Sequence, residues 1–230
     1  MRELETMFSS HPYQGILFDF DGVLAQSMED NFKAWQKATA EYGLTIKGDD
    51  YFPLEGMPVK EVVVHLFQNY RQPVPDAEKV ASLKADYYLK IHQFKLYPGV
   101  TTLIDTLVEN QIPIGIVTAG QKARILETVP GTGLGKFNTL VTGDMITQGK
   151  PFPDPYLIGS DALGVAPEQC IVVENAPLGI QAAKAANTYC IAICSTLESS
   201  YLHEADVVVD SFDQLRDLEV IENLLGGSLN

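Results

Sequence analysis

Residues 16–24 read Ile-Leu-Phe-Asp-Phe-Asp-Gly-Val-Leu, which sets two carboxylates two positions apart at the end of an apolar run. A short run of Ile, Leu and Phe predicts a buried strand, yet ionised aspartates are seldom buried unless they are paired or bound to a metal. Because side chains alternate along a strand, Asp19 and Asp21 point in roughly the same direction. Gly22 then lets the chain turn or approach a ligand closely. The pattern predicts an acidic site at a strand end, and such a carboxylate pair suits Mg²⁺.

The charge balance limits the kinds of partner that the chain can bind. Sixteen basic residues stand against 30 acidic ones, which gives a formal net charge of −14. Such a charge argues against nucleic acid or an anionic membrane as a partner. A phosphorylated substrate stays possible, because a local lysine and a metal ion can outweigh the distant field.

Length and composition predict a soluble chain with a sizeable core. Hydrophobic residues make up 46% of the 230 residues, and no apolar run approaches the roughly 18 residues that a membrane span needs. Residues 1–14 contain no apolar stretch of the kind found in a signal peptide. Three cysteines make a disulfide framework unexpected and favour a reducing compartment. We therefore expect a cytoplasmic protein that is a monomer or a homodimer.

Most of the chain alternates short apolar runs with helical patterns, which predicts an α/β fold. Such alternation is typical of a parallel sheet with helices on both faces and with ligands at the carboxyl ends of the strands. After the first strand, further strands are predicted over five segments: 112–117, 136–141, 170–173, 189–193 and 206–209. Helices are predicted between and after them, over 101–110, 121–129, 155–163, 177–186 and 212–225.

The region 24–95 differs because its patterns are helical throughout and broken by Gly and Pro. Helices are predicted there over 29–42, 60–70 and 76–94. An all-helical block inserted directly after the first strand is expected to form a cap over the strand ends. The predicted division is therefore a core formed by 1–23 and 96–230, and a cap formed by 24–95.

Three further motifs fall at the predicted ends of strands. Thr118 and Ala119 follow the second core strand and open a helix, where a hydroxyl and backbone N–H groups could hold a phosphate. Lys150 lies in the proline-rich loop Gly-Lys-Pro-Phe-Pro-Asp-Pro, which is stiffer than a solvated helix face. Glu174 and Asn175 end another apolar strand with an acid and an amide.

These motifs, in this order, resemble the haloacid dehalogenase-like superfamily. The resemblance is carried by Asp-Phe-Asp-Gly-Val-Leu, Val-Thr-Ala-Gly, Gly-Lys-Pro-Phe-Pro-Asp-Pro-Tyr and Val-Glu-Asn-Ala-Pro-Leu-Gly-Ile, and it extends over residues 15–210. It implies a Rossmann-like core with an inserted helical cap, closest to the beta-phosphoglucomutase and phosphoglycolate phosphatase branch.

The resemblance also implies a role for each motif residue. Asp19 would attack phosphorus and form an aspartyl-phosphate, while Asp21 would act as general acid and then as general base. The phosphoryl group would be held by three residues: Thr118, Ala119 and Lys150. The Mg²⁺ ion would be held by four: Asp19, Asp21 through its backbone carbonyl, Glu174 and Asn175, the last two directly or through water.

Several departures from related sequences bear on the activity. Related chains commonly have Asp where Asn175 stands, and an amide brings no charge, so weaker metal affinity is expected. The mutase-like branch typically has a histidine near Asn31 and a basic residue where Glu55 stands, which favours a phosphatase acting on a small phosphorylated metabolite. A sugar-phosphate mutase and a non-catalytic phosphate-binding protein stay open as alternatives.

Residues 55–57 are expected to form a loop that contributes to specificity.

Overall fold

The computed structural model describes residues 13–129 and 135–226, and its sheet contains six parallel strands. The strands are β1 (Gly15–Phe18), β2 (Ile114–Val117), β3 (Thr139–Val141), β4 (Cys170–Glu174), β5 (Tyr189–Ile193) and β6 (Val207–Val209). They pair in the order β3-β2-β1-β4-β5-β6. The predicted α/β fold with a Rossmann-like parallel sheet is confirmed.

Strand β1 shows why apolar runs without polar interruptions form these strands. Ile16 and Phe18 enter one apolar cluster, while Leu17 between them enters a second cluster on the opposite face. Val172 of β4 likewise belongs to the second cluster. Because successive side chains of a strand point to opposite faces, a sheet covered on both sides needs hydrophobic residues at every position.

The segment between β1 and α5 (Val100–Glu109) is helical. It contains α1 (Met28–Ala40), α2 (Gly48–Tyr51), α3 (Val59–Asn69) and α4 (Ala77–Ile91), with a 3₁₀ turn over Phe52–Leu54. Three of these helices lie where the sequence predicts them, and the short α2 is additional. Trp35, Leu66 and Val80 belong to a third apolar cluster, which draws its buried members from this segment alone among the described residues. The division at 23/24 and 95/96 stays a prediction.

Six more helices pack around the sheet. They are α5 (Val100–Glu109), α6 (Lys122–Thr128), α7 (Asp154–Leu163), α8 (Pro177–Ala185), α9 (Phe212–Arg216) and α10 (Glu219–Leu224). Buried residues of α7 and α8 join the cluster that contains Leu17, and those of α5, α9 and α10 join the cluster that contains Ile16. No described helix is both long and apolar enough to cross a bilayer.

The prediction of one helix over 212–225 is wrong, because Leu218 adopts an extended backbone between α9 and α10. Leu215 and Ile221 are both buried in the same cluster. In a continuous helix these two positions would point about 120° apart. The break rotates α10 and lets both side chains face the sheet.

Sheet order determines where a ligand can bind. From β1 the chain moves to β2 and β3 on one side, and then crosses to β4 and β5 on the other. The carboxyl ends of β1 and β4 therefore flank the point at which the strand order reverses, which is where open α/β sheets bind their ligands. The segment that leads from β1 into α1 and the segment that leads from α4 into α5 run side by side here, with Ala25 bridged to Leu96.

Candidate active site

Asp19 and Glu174 lie next to each other at the ends of β1 and β4. The register pairs Phe18 with Val173, and the Asp19 backbone N–H donates to the Val173 carbonyl at 3.0 Å. Asp19 is 7% exposed and Glu174 is 1% exposed. Two buried carboxylates in adjacent strands require a cation between them.

Lys150 supplies that cation. Its ammonium nitrogen lies 2.5 Å from Oδ1 of Asp19 and 2.6 Å from Oε1 of Glu174, and the residue is 2% exposed. Burial by itself lowers the pKa of Lys150, but the two carboxylates prevail and hold that pKa above its ordinary value. The proline-rich loop before α7 thus delivers a charged lysine to the strand ends. Asp19 and Lys150 are close enough to contact one phosphate.

Glu174 uses both of its carboxylate oxygens within the protein. Oε1 accepts from Lys150 and from the Tyr156 hydroxyl at 2.6 Å each. Oε2 accepts from the backbone N–H groups of Asn175 and Ala176 at 2.8 and 3.2 Å. A carboxylate has about four acceptor positions, so these contacts favour a positioning role for Glu174 over direct metal ligation. Its metal role stays a prediction.

Gly179 in α8 makes room for this carboxylate. A Cβ atom at that position would lie 1.8 Å from Oε1 of Glu174. Any side chain would therefore displace the acid from Lys150. The glycine marks a close approach of α8 to β4.

The carboxyl group of Asp19 is a weaker acid here than in water. Burial raises its pKa to about 8, and the negative charge of Glu174 adds to that effect, whereas Lys150 acts in the opposite direction. Lys150 cannot fully offset the burial, because it is shared with Glu174. A cation bound beside Asp19 would favour the ionised form that a nucleophile needs.

The Asp21 carboxylate accepts hydrogen bonds from the helical segment and from α6 beside the sheet. Its Oδ1 accepts from Ser27 at 2.5 Å, from Asn31 at 3.3 Å and from Arg124 at 3.1 Å. A second guanidinium nitrogen of Arg124 donates to Oδ2. Burial acts to raise the pKa of Asp21, but the charge and hydrogen bonds of Arg124 hold it below its usual value.

Sequence reasoning missed Arg124, Lys84 and Tyr156. Arg124 lies on α6, 103 residues from its partner Asp21. A lone arginine on a helix after a possible phosphate loop gives no sign of such a partner. The position of Arg124 just after the Thr118 motif is the one signal that could have drawn attention to it.

Thr118 and Ala119 lie at the same edge of the sheet, where β2 ends beside β1. Thr118 is 1% exposed, and its hydroxyl oxygen accepts from the Gly120 N–H at 3.0 Å, which leaves the hydroxyl proton to a ligand. A Cβ at Gly143 would lie 2.2 Å from the Ala119 carbonyl, so that glycine permits the loop to pack closely. Their phosphate-binding role stays a prediction.

Asn175 has an unsatisfied side chain. It is 1% exposed, and its Nδ2 is buried with no hydrogen-bond partner in the described part of the chain. This end of the amide faces Gly22, where a Cβ would lie 2.1 Å away. Rotating the amide by about 180° exchanges nitrogen for oxygen, so the same position can present a metal-binding oxygen.

The available donors fit one Mg²⁺ ion. They are all oxygens: the Asp19 carboxylate, the Asp21 carbonyl and the Asn175 amide. Within residues 13–129 and 135–226, no three or more His, Cys, Asp or Glu side chains are grouped as a metal site. Such an ion would therefore depend on amide, backbone, substrate and water oxygens, with Asp19 as its main charged ligand.

The helical segment closes over the charged edge of the sheet. Gly56 packs against Lys150, and a Cβ there would lie 2.9 Å from the lysine Cδ. A Cβ at Gly149 would lie 2.9 Å from Pro58. The loop that contains Glu55 and Gly56 thus reaches the site, and its contribution to specificity stays a prediction.

Comparison with known proteins supports the reading of these motifs. The family model described as haloacid dehalogenase-like hydrolase matches residues 16–193. The chain is 31% identical over 206 residues to validoxylamine A 7′-phosphate phosphatase of Streptomyces hygroscopicus subsp. limoneus, covering 89% of this chain and 96% of that protein. It is 30% identical to hexitol phosphatase A of Escherichia coli K12, covering 88% and 93%.

A solved structure extends the likeness to the three-dimensional fold. A putative beta-phosphoglucomutase from Bacteroides vulgatus superimposes with a TM-score of 0.82 at 25% identity, covering 94% of this chain and 92% of that one. The resemblance inferred from the motifs is confirmed.

Proposed function

The chain belongs to the haloacid dehalogenase-like hydrolase family and is a phosphoric monoester hydrolase; on this premise we propose that it is an Mg²⁺-dependent phosphatase acting through an aspartyl-phosphate on Asp19. Its substrate is a small phosphorylated metabolite with a sugar-like carbon chain, in keeping with the names of its relatives. The observation that carries the proposal is the buried contact of Lys150 with Asp19 and Glu174 at the strand switch point. Asp21 lies two residues beyond.

In the first half-reaction, a carboxylate oxygen of Asp19 attacks phosphorus and the ester P–O bond breaks. Asp21 donates a proton to the departing alkoxide, which leaves as an alcohol. Lys150 holds the Asp19 carboxylate in place and offsets negative charge on the phosphoryl oxygens, together with Thr118 and the Ala119 N–H. The ester bond is thereby exchanged for an aspartyl-phosphate bond.

In the second half-reaction, Asp21 takes a proton from water, and the oxygen of that water attacks phosphorus. The bond to Asp19 breaks, and inorganic phosphate leaves. A bound Mg²⁺ supplies charge stabilisation at the phosphoryl oxygens. Burial of Asp19 keeps other water away from the intermediate.

We also propose that helices α1–α4 serve as a cap over this site. Gly56 and Pro58 in that segment contact the lysine loop, and Asn31 contacts Asp21. Opening of such a cap would admit substrate, and its closure would then exclude bulk water.

A mutase of the beta-phosphoglucomutase type is the second candidate, favoured by the structural neighbour of that name. Hydrolysis is preferred because Asn31 stands beside Asp21, where the mutase-like branch typically has a histidine. Incubation with a sugar 1-phosphate decides the matter. Release of inorganic phosphate supports the phosphatase, and conversion to the 6-phosphate without release contradicts it.

The main experiment follows turnover of p-nitrophenyl phosphate and a panel of sugar and polyol phosphates, with Mg²⁺ and then with EDTA. Turnover is expected to require Mg²⁺ and to disappear in Asp19→Asn. Reduction of the reacting enzyme with borohydride is expected to convert Asp19 to homoserine, detectable by peptide mass. No turnover across the panel, or activity that persists in Asp19→Asn, would contradict the proposal.

A further inference from the structure

Arg124 links the sheet to the helical segment above Asp21. Two of its guanidinium nitrogens donate to the Asp21 carboxylate. The guanidinium carbon also lies 5.2 Å from the ring centre of Tyr88 in α4. An arginine has five N–H donors, so donors remain after Asp21 is satisfied. The Arg124 side chain is 15% exposed. Its contact with Tyr88 places the remaining donors between α6 and the helical segment.

Lys84 is a second cation in the same place. It is 9% exposed and donates to the neutral side-chain oxygen of Asn31. Its ammonium lies 5.1 Å from the Tyr88 ring centre and 5.7 Å from that of Trp35. In the part of the chain that the structure describes, it forms no ion pair with a carboxylate. A buried ammonium without a counterion is unfavourable.

The two cations affect each other. Burial and the positive charge of Arg124 together lower the pKa of Lys84 to about 8, although the charges of Asp21 and Glu55 act in the opposite direction. Both cations lie against the Tyr88 ring. Like charges crowded at one buried ring favour binding of an anion between or beside them.

The nearby acids do not fully balance these charges. Asp21 is ionised and paired with Arg124. Among the described residues, Oε1 of Glu55 is buried without a hydrogen-bond partner, and burial, followed by the charge of Asp21, raises the pKa of Glu55 well above its ordinary value. A charged oxygen buried without a partner is unfavourable, so this geometry favours the protonated form of Glu55. Arg124 and Lys84 then face one charged carboxylate, that of Asp21. One positive charge is left over.

Building on the proposed phosphatase activity, we infer that Arg124 and Lys84 form a recognition site for a carboxylate on the leaving group of the substrate. Asp21 is the residue proposed to protonate the leaving oxygen. Arg124 donates to Asp21 directly, and Lys84 donates to Asn31, which in turn donates to Asp21. The part of the substrate beyond the ester oxygen would therefore meet them. One carboxylate matches the single surplus charge, whereas a second phosphate brings about 1.5 to 2 negative charges.

The test measures binding to Asp19→Asn enzyme with Mg²⁺ by titration calorimetry. Two pairs of ligands are compared: glycerate 3-phosphate with glycerol 3-phosphate, and gluconate 6-phosphate with glucitol 6-phosphate. Within each pair, a carboxylate replaces a hydroxymethyl group. In at least one pair, the acid is expected to bind about tenfold more tightly or better, the effect of a hydrogen bond to a charged group.

Variants identify the groups responsible. Lys84→Met and Arg124→Gln, each combined with Asp19→Asn, are expected to abolish the preference for the acid. Met retains the length of Lys84 and its packing against Trp35 and Tyr88, so Lys84→Met decides the question if Arg124→Gln does not fold. The matched control is Lys90→Met on the same helix, where an exposed ammonium lies 5.7 Å from the Tyr87 ring centre. This control is expected to keep the preference.

Three results would overturn the inference: equal affinities within both pairs, a preference that survives Lys84→Met, or tighter binding of a sugar bisphosphate than of either acid. Binding to the Asp19→Asn enzyme does not require turnover. An absence of turnover in the wild-type enzyme would count against the phosphatase proposal, and the ligand pairs would still report on the recognition site.

Discussion

The two lysines Lys150 and Lys84 are both buried, but their surroundings are opposite. Lys150 lies between two carboxylates at the sheet edge, whereas Lys84 has an amide oxygen and two aromatic rings in the helical segment. At the sheet edge, the carboxylates of Asp19 and Glu174 are paired with a cation. In the helical segment, a cation lacks an anion.

This difference suggests separate functions for the sheet edge and the helical segment. The charges at the sheet edge are arranged before any substrate binds, which is the condition for efficient electrostatic catalysis. In the helical segment, Oε1 of Glu55 is buried without a hydrogen-bond partner among the described residues, and Lys84 forms no ion pair with a described carboxylate. We interpret the first region as the place of the chemistry and the second as the place where substrates are selected.

The largest expected effect comes from Lys150→Met. Removing this cation leaves Asp19 and Glu174 facing each other, so we expect a loss of about 3–5 kcal/mol in the free energy of unfolding together with loss of turnover. Urea denaturation and steady-state kinetics measure the two effects. Lys184→Met is the control, because its ion pair with Asp206 has side chains 38% and 29% exposed and is expected to contribute less than about 1 kcal/mol. Similar losses in both variants would contradict our account of the sheet edge.

The second prediction concerns pH. The pKa of Asp19 is raised from 3.8 to about 8 in the folded protein, so between these values the folded state binds more protons than the unfolded state. Stability in EDTA is therefore expected to fall as pH rises from about 4 to about 8. Asp19→Asn, which cannot ionise, should show a flatter profile in denaturation series at several pH values. Parallel profiles for the two proteins would argue against a buried, protonated Asp19.

The third prediction tests the metal ligands. Asn175→Asp adds a negative charge among the oxygen donors, so the Mg²⁺ concentration for half-maximal activity should fall severalfold. Asn69→Asp adds the same charge at an exposed position and serves as the control. Equal half-saturating Mg²⁺ in wild type and Asn175→Asp would rule out Asn175 as a ligand.

The smallest effect is expected for Lys84→Met. Replacing an unpaired buried ammonium by an apolar side chain of similar length should change stability by less than about 1 kcal/mol, or increase it. The comparison with Lys150→Met uses the same substitution at two buried sites. A loss as large as that of Lys150→Met would show that Lys84 has a counterion in solution.

The sheet and its acidic edge could be predicted because their signals are local. Apolar runs indicate strands, and parallel strands bring their carboxyl ends to one edge, which explains how Asp19 and Lys150 meet although 131 residues separate them. The break between α9 and α10 was missed because it depends on tertiary packing. Leu215 and Ile221 are buried in the same cluster, and the local pattern does not show that both must face the sheet.

The amino-acid sequence alone determined the fold class, the family and the residues proposed for the chemistry, because each is encoded in short motifs at the ends of strands. Only the tertiary structure decided that Arg124 pairs with Asp21, that Tyr156 supports Glu174 and that Lys84 is buried without an ion pair to any described carboxylate. Those contacts join helices to distant strands, and the position of a side chain across such an interface follows from how whole elements pack together. Local patterns carry no record of that packing.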